Sequence, residues 1–427
     1  MVIYVVQSGD SLFSIAREYG VTVELLQAAN QILPEQGLVV GQALVIPTDF
    51  TTHTVVAGDT LYSIARRYGT TVERLIELNP LTQSDPSMLR VGQLITVPTA
   101  PQPTRSIVVN GYCYPEIQQS TLDITLPHLT FLSPFSYRIN ADGTLVPIDD
   151  TRVITAAYQR NVAPIMVITN TRPTGGFDPD LVSTVLNDMT VQNTLIENLA
   201  NTLNQKNYYG LNIDFEYIPP ADREAYNAFL ERIVARFRPI GYVLSTAVAP
   251  KLSADQPGQL YEAHDYATHG RLMDYVVIMT YEWGYLYSPP MAVAPVDQVE
   301  LVLQYAVTEI PPQKILMGMP NYGYDWTLPF VRGTAARPIS NVGAVRLAAQ
   351  TGSAIMFDQT AQTPFFNYTA SDGARHEVWF EDARSVQAKL RLVEQFNLAG
   401  VSYWTINQYF SQNWLVLNSM YNVSKRF

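Results

Sequence analysis

The sequence predicts an α/β chain: a (β/α)8 TIM barrel with a small α+β insertion before its eighth strand, preceded by two small βααβ units. Three observations predict it. A segment near the N-terminus recurs at an offset of 49 residues, Gly9 matching Gly58. A proline-punctuated stretch follows the second copy. Beyond it, short apolar runs alternate with amphipathic helical stretches eight times over about 320 residues.

In the repeat, Ser8-Gly9-Asp10-Ser11-Leu12-Phe13-Ser14-Ile15-Ala16-Arg17-Glu18-Tyr19-Gly20 is echoed by Ala57-Gly58-Asp59-Thr60-Leu61-Tyr62-Ser63-Ile64-Ala65-Arg66-Arg67-Tyr68-Gly69. Leu-x-x-Ile-Ala is helical spacing, so Asp10 and Asp59 are expected as N-caps and Gly20 and Gly69 as the glycines closing the first helix. A second helix is expected after Thr22 or Thr71, ending at Asn30 or Asn79, before closing strands within Val39–Pro47 and Leu89–Pro98. The two units are placed at 1–48 and 52–98. Residues 99–104, with Pro101 and Pro103 among small and polar neighbours, read as a short, fairly stiff linker.

The large domain is placed at 105–427. Its candidate strands are Ile107–Tyr112, Leu129–Phe135, Pro164–Thr169, Leu211–Phe215, Val243–Val248, Tyr275–Thr280, Ile315–Met319 and Gly400–Trp404. Between them lie patterns such as Asp222–Arg238, with Tyr226, Phe229, Leu230, Ile233, Val234 and Phe237 on one helical face. The stretch from Trp326 to Val378 exceeds one helix and reads as an inserted α+β unit at about 326–380.

Composition narrows the function. At 47% hydrophobic and 15% charged residues the chain has material for a large core. A net charge of -11 argues against nucleic acid and anionic lipid, both of which need a basic surface. No apolar run is long enough to span a membrane, and the opening Met1-Val2-Ile3-Tyr4-Val5-Val6-Gln7 lacks the form of a secretory signal. The single cysteine, Cys113, excludes an internal disulfide and reads as a packed strand thiol. Five scattered histidines without HExxH give no metal site, and no organic cofactor is expected. The 26 tyrosines suit stacking on sugars and equally suit a barrel core.

The chemistry concentrates in Tyr208-Tyr209-Gly210-Leu211-Asn212-Ile213-Asp214-Phe215-Glu216-Tyr217. Strand alternation puts Asn212, Asp214 and Glu216 on one face and Leu211, Ile213 and Phe215 on the other. Barrel active sites lie at the C-terminal ends of strands, where this acidic face ends. Like charges two residues apart raise one pKa of the pair, which keeps Glu216 protonated as a general acid while Asp214 shares or holds the negative charge. A hydrogen-bonded structural pair is the alternative reading.

These residues carry two resemblances. Gly-Asp-[Ser/Thr]-Leu-x-x-Ile-Ala-x-x-Tyr-Gly, then Asn, then Val-Gly-Gln-x-Leu-x-[Val/Ile]-Pro resembles the LysM module, which implies binding of glycans bearing N-acetylglucosamine. The central segment is similar to Asp-Gly-x-Asp-x-Asp-x-Glu of glycoside hydrolase family 18. On that match Glu216 is the acid and Asp214 orients the substrate acetamide, while Asn212 stands where the pattern has its first Asp and Tyr209 where another Asp is usual. Met279-Thr280-Tyr281-Glu282 resembles Met-x-Tyr-Asp of strand six, implying a hydrogen bond from Tyr281 to the acetamido oxygen. Gly318-Met319-Pro320-Asn321-Tyr322-Gly323 resembles Gly-x-Pro-x-Tyr-Gly of strand seven, and Trp404 matches a sugar-stacking tryptophan on strand eight. Val167-Ile168-Thr169-Asn170 replaces the usual Ser-x-Gly-Gly of strand three.

The resemblance implies catalysis by Glu216, Asp214 and Tyr281, with Asn212, Glu282, Met279, Tyr322, Asn321 and Trp404 binding substrate. It implies substrate-assisted retention, in which the substrate's own acetamide attacks the anomeric carbon. Two LysM modules before such a barrel resemble the spore cortical-fragment-lytic N-acetylglucosaminidases of endospore-forming bacteria. That implies peptidoglycan glycan strands as partner, a monomer, and a protein made in the mother cell and placed at the spore's coat–cortex boundary. A chitinase, or an inactive lectin-like wall-binding protein, is the alternative.

Overall fold

A computed structural model describes residues 1–48, 50–79, 89–98 and 103–427. Residues 99–102 of the expected linker lie outside the described residues. The barrel strands are β1 (Ser106–Cys113), β2 (Phe131–Pro134), β3 (Ala163–Thr169), β4 (Gly210–Asp214), β5 (Val243–Val248), β6 (Tyr275–Ile278), β7 (Ile315–Pro320) and β8 (Gly400–Trp404). Each pairs in parallel with the next, and β8 returns to β1, so the sheet closes. All eight expected strands are present. β2 and β6 are shorter than expected and β4 is shifted back by one residue; with β4 ending at Asp214 and β6 at Ile278, Glu216 and Tyr281 lie just past the ladder.

Alternation along the strands separates two apolar layers. Val108, Tyr112, Phe131, Ile165, Val167, Val277 and Leu316 fill the barrel. Leu211, Ile213, Phe215, Leu244, Met317 and Val401 face outward into the helix layer. Phe215 stacks on Phe229 of the helix Arg223–Phe237, ring centroids 6.0 Å apart. That helix also buries Tyr226, Leu230, Ile233 and Phe237, each worth about 1.5–3 kcal/mol of transfer free energy. Cys113 is buried in the outer layer, and burial pushes its thiol up to about 12, which makes it packing material.

The insertion between β7 and β8 is an antiparallel sheet of Gly323–Leu328, Arg337–Ile339, Met356–Asp358, Thr363–Thr369 and Arg375–Trp379, with the helix Asn341–Thr351. It starts at Gly323, ahead of the expected Trp326. Only glycine fits there, since a Cβ would lie 2.1 Å from the Trp379 carbonyl oxygen.

Each N-terminal unit is a two-stranded antiparallel sheet with two helices: Val2–Val5 with Ala43–Ile46, and Phe50–Thr54 with Leu94–Pro98. The first helices, Leu12–Tyr19 and Leu61–Arg67, are not capped by Asp10 and Asp59. Ser11 and Thr60 cap them, in reciprocal boxes with Ser14 and Ser63. Asp10 and Asp59 instead accept the backbone N–H of Gln7 and of Val56, which fixes the turn before each cap. Asn30 and Asn79 pin the second helix to the closing strand: each amide donates to two carbonyls and accepts the N–H of Val45 or Thr96.

The first unit is docked on the large domain. Val39 packs with Ile355, Phe366 and Phe380 of the insertion, and Val45 joins the barrel's outer layer. Gln412 donates to Asn30 and to the Ala43 carbonyl, both at 2.9 Å, and Ile355 N–H donates to Val40. Gly41 touches Ile355 so closely that a Cβ would fall 1.8 Å from its carbonyl oxygen, whereas the matching Gly92 faces open space. Among the described residues no helix is long and apolar enough to cross a membrane.

Candidate active site

The polar groups gather at the C-terminal ends of the strands. Asn212 and Asp214, buried on the inner face of β4, sit one above the other. Asn212 is held at both ends, accepting from Tyr112 Oη at 3.0 Å and donating from Nδ2 to Ser245 Oγ at 2.9 Å. It therefore places a neutral amide, not a second carboxylate, beneath Asp214. Asp214 Oδ1 is buried with no hydrogen-bond partner among the described residues. Burial pushes this carboxyl up to about 7.

Glu216 follows, half-buried, with Tyr217 in the left-handed region at φ 55°. Burial, then the neighbouring charges of Asp214 and Glu282, hold its carboxyl well above the usual carboxylate range. Both carboxyls of the pair are thus raised, and together they retain a proton near neutral pH.

Past the end of β6, Tyr281 lies among Tyr112, Asp214, Glu216 and Glu282, and burial keeps its phenol protonated as a donor. Its ring fits because Gly318 of β7 carries no side chain: a Cβ there would lie 2.8 Å from Tyr281 Cε1. Glu282 has φ 70°, a conformation costing a non-glycine residue about 1 kcal/mol, and it accepts hydrogen bonds from Tyr322 and Tyr324. Burial raises its pKa, and those two hydroxyls partly offset the rise.

Trp404 ends β8, diametrically across the closed ring from β4. Phe135, Tyr112 and Tyr114 meet it edge to face, at centroid distances of 4.7, 5.6 and 6.0 Å. Met279, like Trp404, is partly buried and packs against the barrel-filling cluster. Asn321 is 6% exposed, and its amide nitrogen donates to the carbonyls of Thr405 and Gln408, both at 2.8 Å. It holds the loop after Trp404 instead of reaching into the pocket with that nitrogen.

The structure adds groups that sequence reasoning did not single out. Asn170, one residue past β3, accepts the Glu216 N–H at 3.0 Å and donates to the Glu216 carbonyl at 2.9 Å. His264 contacts the Phe215 carbonyl through Nε2 at 3.0 Å, while its Nδ1 accepts the Ala249 N–H. Gln259 donates to the Tyr217 carbonyl at 3.0 Å. The position of Asn170 was visible as a departure from Ser-x-Gly-Gly, but its partner 46 residues away was not. Among the described residues, no group of three or more His, Cys, Asp or Glu side chains is arranged to hold a metal ion.

An acid pair with raised pKa values, a tyrosine donor beside it and a tryptophan wall opposite is an arrangement that can protonate an ether oxygen and bind a sugar ring. Comparison with known proteins agrees. The family model for glycosyl hydrolases family 18 matches residues 166–408, and that for the LysM domain matches 4–47 and 53–98. The chain is 44% identical to the cortical fragment-lytic enzyme of Bacillus subtilis, over 100% of this chain and 99% of the relative. The crystal structure of the Bacillus cereus spore cortex-lytic enzyme SleL superposes with a TM-score of 0.84 at 42% identity, over 99% of this chain and 98% of that one. A chitinase from Chromobacterium violaceum gives a TM-score of 0.67 at 26% identity, over 73% of this chain and 98% of that one.

Proposed function

The chain belongs to glycosyl hydrolases family 18, and on that premise we propose that Glu216 is its general acid and base, with Asp214 and Tyr281 holding the substrate's 2-acetamido group. The protein is a glycoside hydrolase acting on spore cortex peptidoglycan, with a spore-associated role. Its LysM and barrel domains bind the glycan. The full-length likeness to cortical fragment-lytic enzymes, in both modules and barrel, carries the substrate assignment.

In this reading the N-acetylglucosamine ring stacks on Trp404 and presents its acetamide between Asp214 and Tyr281. The acetamide oxygen attacks the anomeric carbon as Glu216 gives its proton to the leaving oxygen, so the glycosidic bond breaks and an oxazolinium ion forms. Holding the attacking oxygen in place replaces a bimolecular step by an intramolecular one. Water, deprotonated by Glu216, then opens the ion with retention. The free pair of Asp214 and Glu216 shares one proton, and once Glu216 has passed it to the leaving oxygen, Asp214 is the carboxylate that faces the cationic ring. No charge from Asn212 opposes that change. The enzyme works as a monomer at the coat–cortex boundary, delivered from the mother cell.

Steady-state kinetics on cortex fragments and on chitin oligosaccharides tests the assignment. A kcat/KM at least tenfold higher on cortex fragments, with products ending in reducing N-acetylglucosamine, supports it. The reverse preference makes the protein a chitinase.

A further inference from the structure

Glu216 stands two residues beyond the last ladder position of β4, where the sheet no longer fixes the chain. Its backbone is fixed by side chains instead. Asn170, fully buried, closes both hydrogen bonds that a neighbouring strand would make, to the N–H and to the carbonyl of Glu216, at 3.0 and 2.9 Å. The same amide also reaches the Asp178 carbonyl at 3.1 Å, which ties it to the loop after β3. On the other side His264, 1% exposed, takes the Phe215 carbonyl, and Gln259 takes that of Tyr217. Three successive carbonyls, from Phe215 to Tyr217, are therefore each held by a side chain from outside β4.

We infer that Asn170 is a positioning residue for the general acid, the centre of a charge-free clamp that it forms with His264 and Gln259 around Phe215, Glu216 and Tyr217. The inference rests on the hydrolase reading of the site.

The chemistry of the clamp explains its composition. An Arg or Lys would grip the same carbonyls, but its charge would stabilise the Glu216 carboxylate and strip the acid of its proton. An amide, two of them here, grips without charge. His264 is also neutral: Nδ1 accepts the Ala249 N–H, so Nε2 carries the proton that goes to Phe215, and burial lowers the imidazole to about 4. The groups whose charge Glu216 feels are Asp214 from β4 and Glu282 after β6. The phenols of Tyr112, Tyr217 and Tyr281 surround it and stay protonated. Beyond Asn170, Asp178 is paired with Arg172 at 3.4 Å.

The test uses the full chain with cortex fragments as substrate, measuring kcat and KM across pH for wild type, Asn170→Asp and Asn170→Ala, with thermal melts of each. Asn170→Asp keeps size and the acceptor for the Glu216 N–H, loses the donor, and adds a negative charge. We expect kcat to fall about 10- to 100-fold in both variants, the cost of misplacing a reacting group by about 1 Å, with KM changed less than about threefold. In Asn170→Asp the alkaline limb of kcat/KM moves to higher pH, because the added carboxylate opposes ionisation of Glu216. Should Asn170→Ala fail to fold, the isosteric Asn170→Asp decides alone. Unchanged kcat, a loss residing in KM, or an alkaline limb that does not move in Asn170→Asp overturns the inference. If the wild type cleaves neither cortex fragments nor chitin oligosaccharides, the hydrolase reading itself fails and the inference falls with it.

Discussion

Gly318 lies directly beneath the ring of Tyr281, so close that a Cβ on it would sit 2.8 Å from Tyr281 Cε1 and 2.7 Å from the Ile278 carbonyl oxygen. The absence of one side chain on β7 thus sets the place of a donor on the loop after β6. Backbone on one side and a packed ring on the other leave the ring as the part able to move. Gly318→Ala is expected to tilt Tyr281 away from the acid pair, lowering kcat about tenfold or more. Overpacking should also cost about 1–3 kcal/mol of stability. Kinetics on cortex fragments with a parallel thermal melt checks both, and wild-type kcat would show that the Tyr281 ring position does not matter.

Asp214 should cost the fold stability at neutral and higher pH. Its folded pKa of about 7 lies above an unfolded carboxyl's, near 4, so the stability it permits is full below about pH 4. That stability is lost as pH rises through 7, because the buried oxygen must then ionise without a partner. Asp214→Asn removes the loss. The variant should melt a few degrees above wild type at pH 8, with the gap shrinking toward pH 5, while hydrolysis falls at least 100-fold. The neutral His264 and His269, lowered by burial to about 4 and about 3, act in the opposite direction. Their contribution is present above about pH 6.5 and is lost as pH falls toward those values, in wild type and variant alike. A gap that does not widen between pH 5 and pH 8 would contradict the account.

The two LysM modules offer a matched pair of glycines. Gly41 and Gly92 have the same backbone, φ 85° and 86°, so alanine carries the same left-handed penalty of about 1 kcal/mol at either. Only at Gly41 does the new Cβ meet Ile355. Gly41→Ala should therefore loosen the first module from the insertion, with a larger drop in melting temperature and faster proteolysis than Gly92→Ala. Equal effects would mean that the docking contributes nothing to stability.

Much of this was legible in the sequence, for definite reasons. The eight strands showed because their outward and inward residues are both apolar, as at Ile168 and Val167 or Ile278 and Val277. The polar face of β4 showed because Asn212 and Asp214 break that rule at alternate positions. What stayed hidden was contact between distant segments. Asp10 looked like a helix cap because its neighbour Ser11 is an equally good one, and only the backbone geometry chooses between them. Nothing in the sequence singles out Gln31, Val39 or Gln412 as contacts, yet Gln31 and Gln412 join the first module to the barrel across about 380 positions and Val39 packs it on the insertion. Asn321 sits inside a recognisable motif, but its hydrogen bonds go to the loop after Trp404. Asn170 had no pattern of its own.

In this mechanism Glu216 both gives and takes the proton. Mass spectrometry of cortex fragments incubated with the wild type and with Glu216→Gln tests it most directly, with cortex pull-down as the measure that both proteins fold and bind. Shortened fragments ending in reducing N-acetylglucosamine are expected from the wild type alone, with a loss of at least about 100-fold in the variant and equal pull-down. Cleavage by Glu216→Gln at a rate near that of the wild type would contradict it.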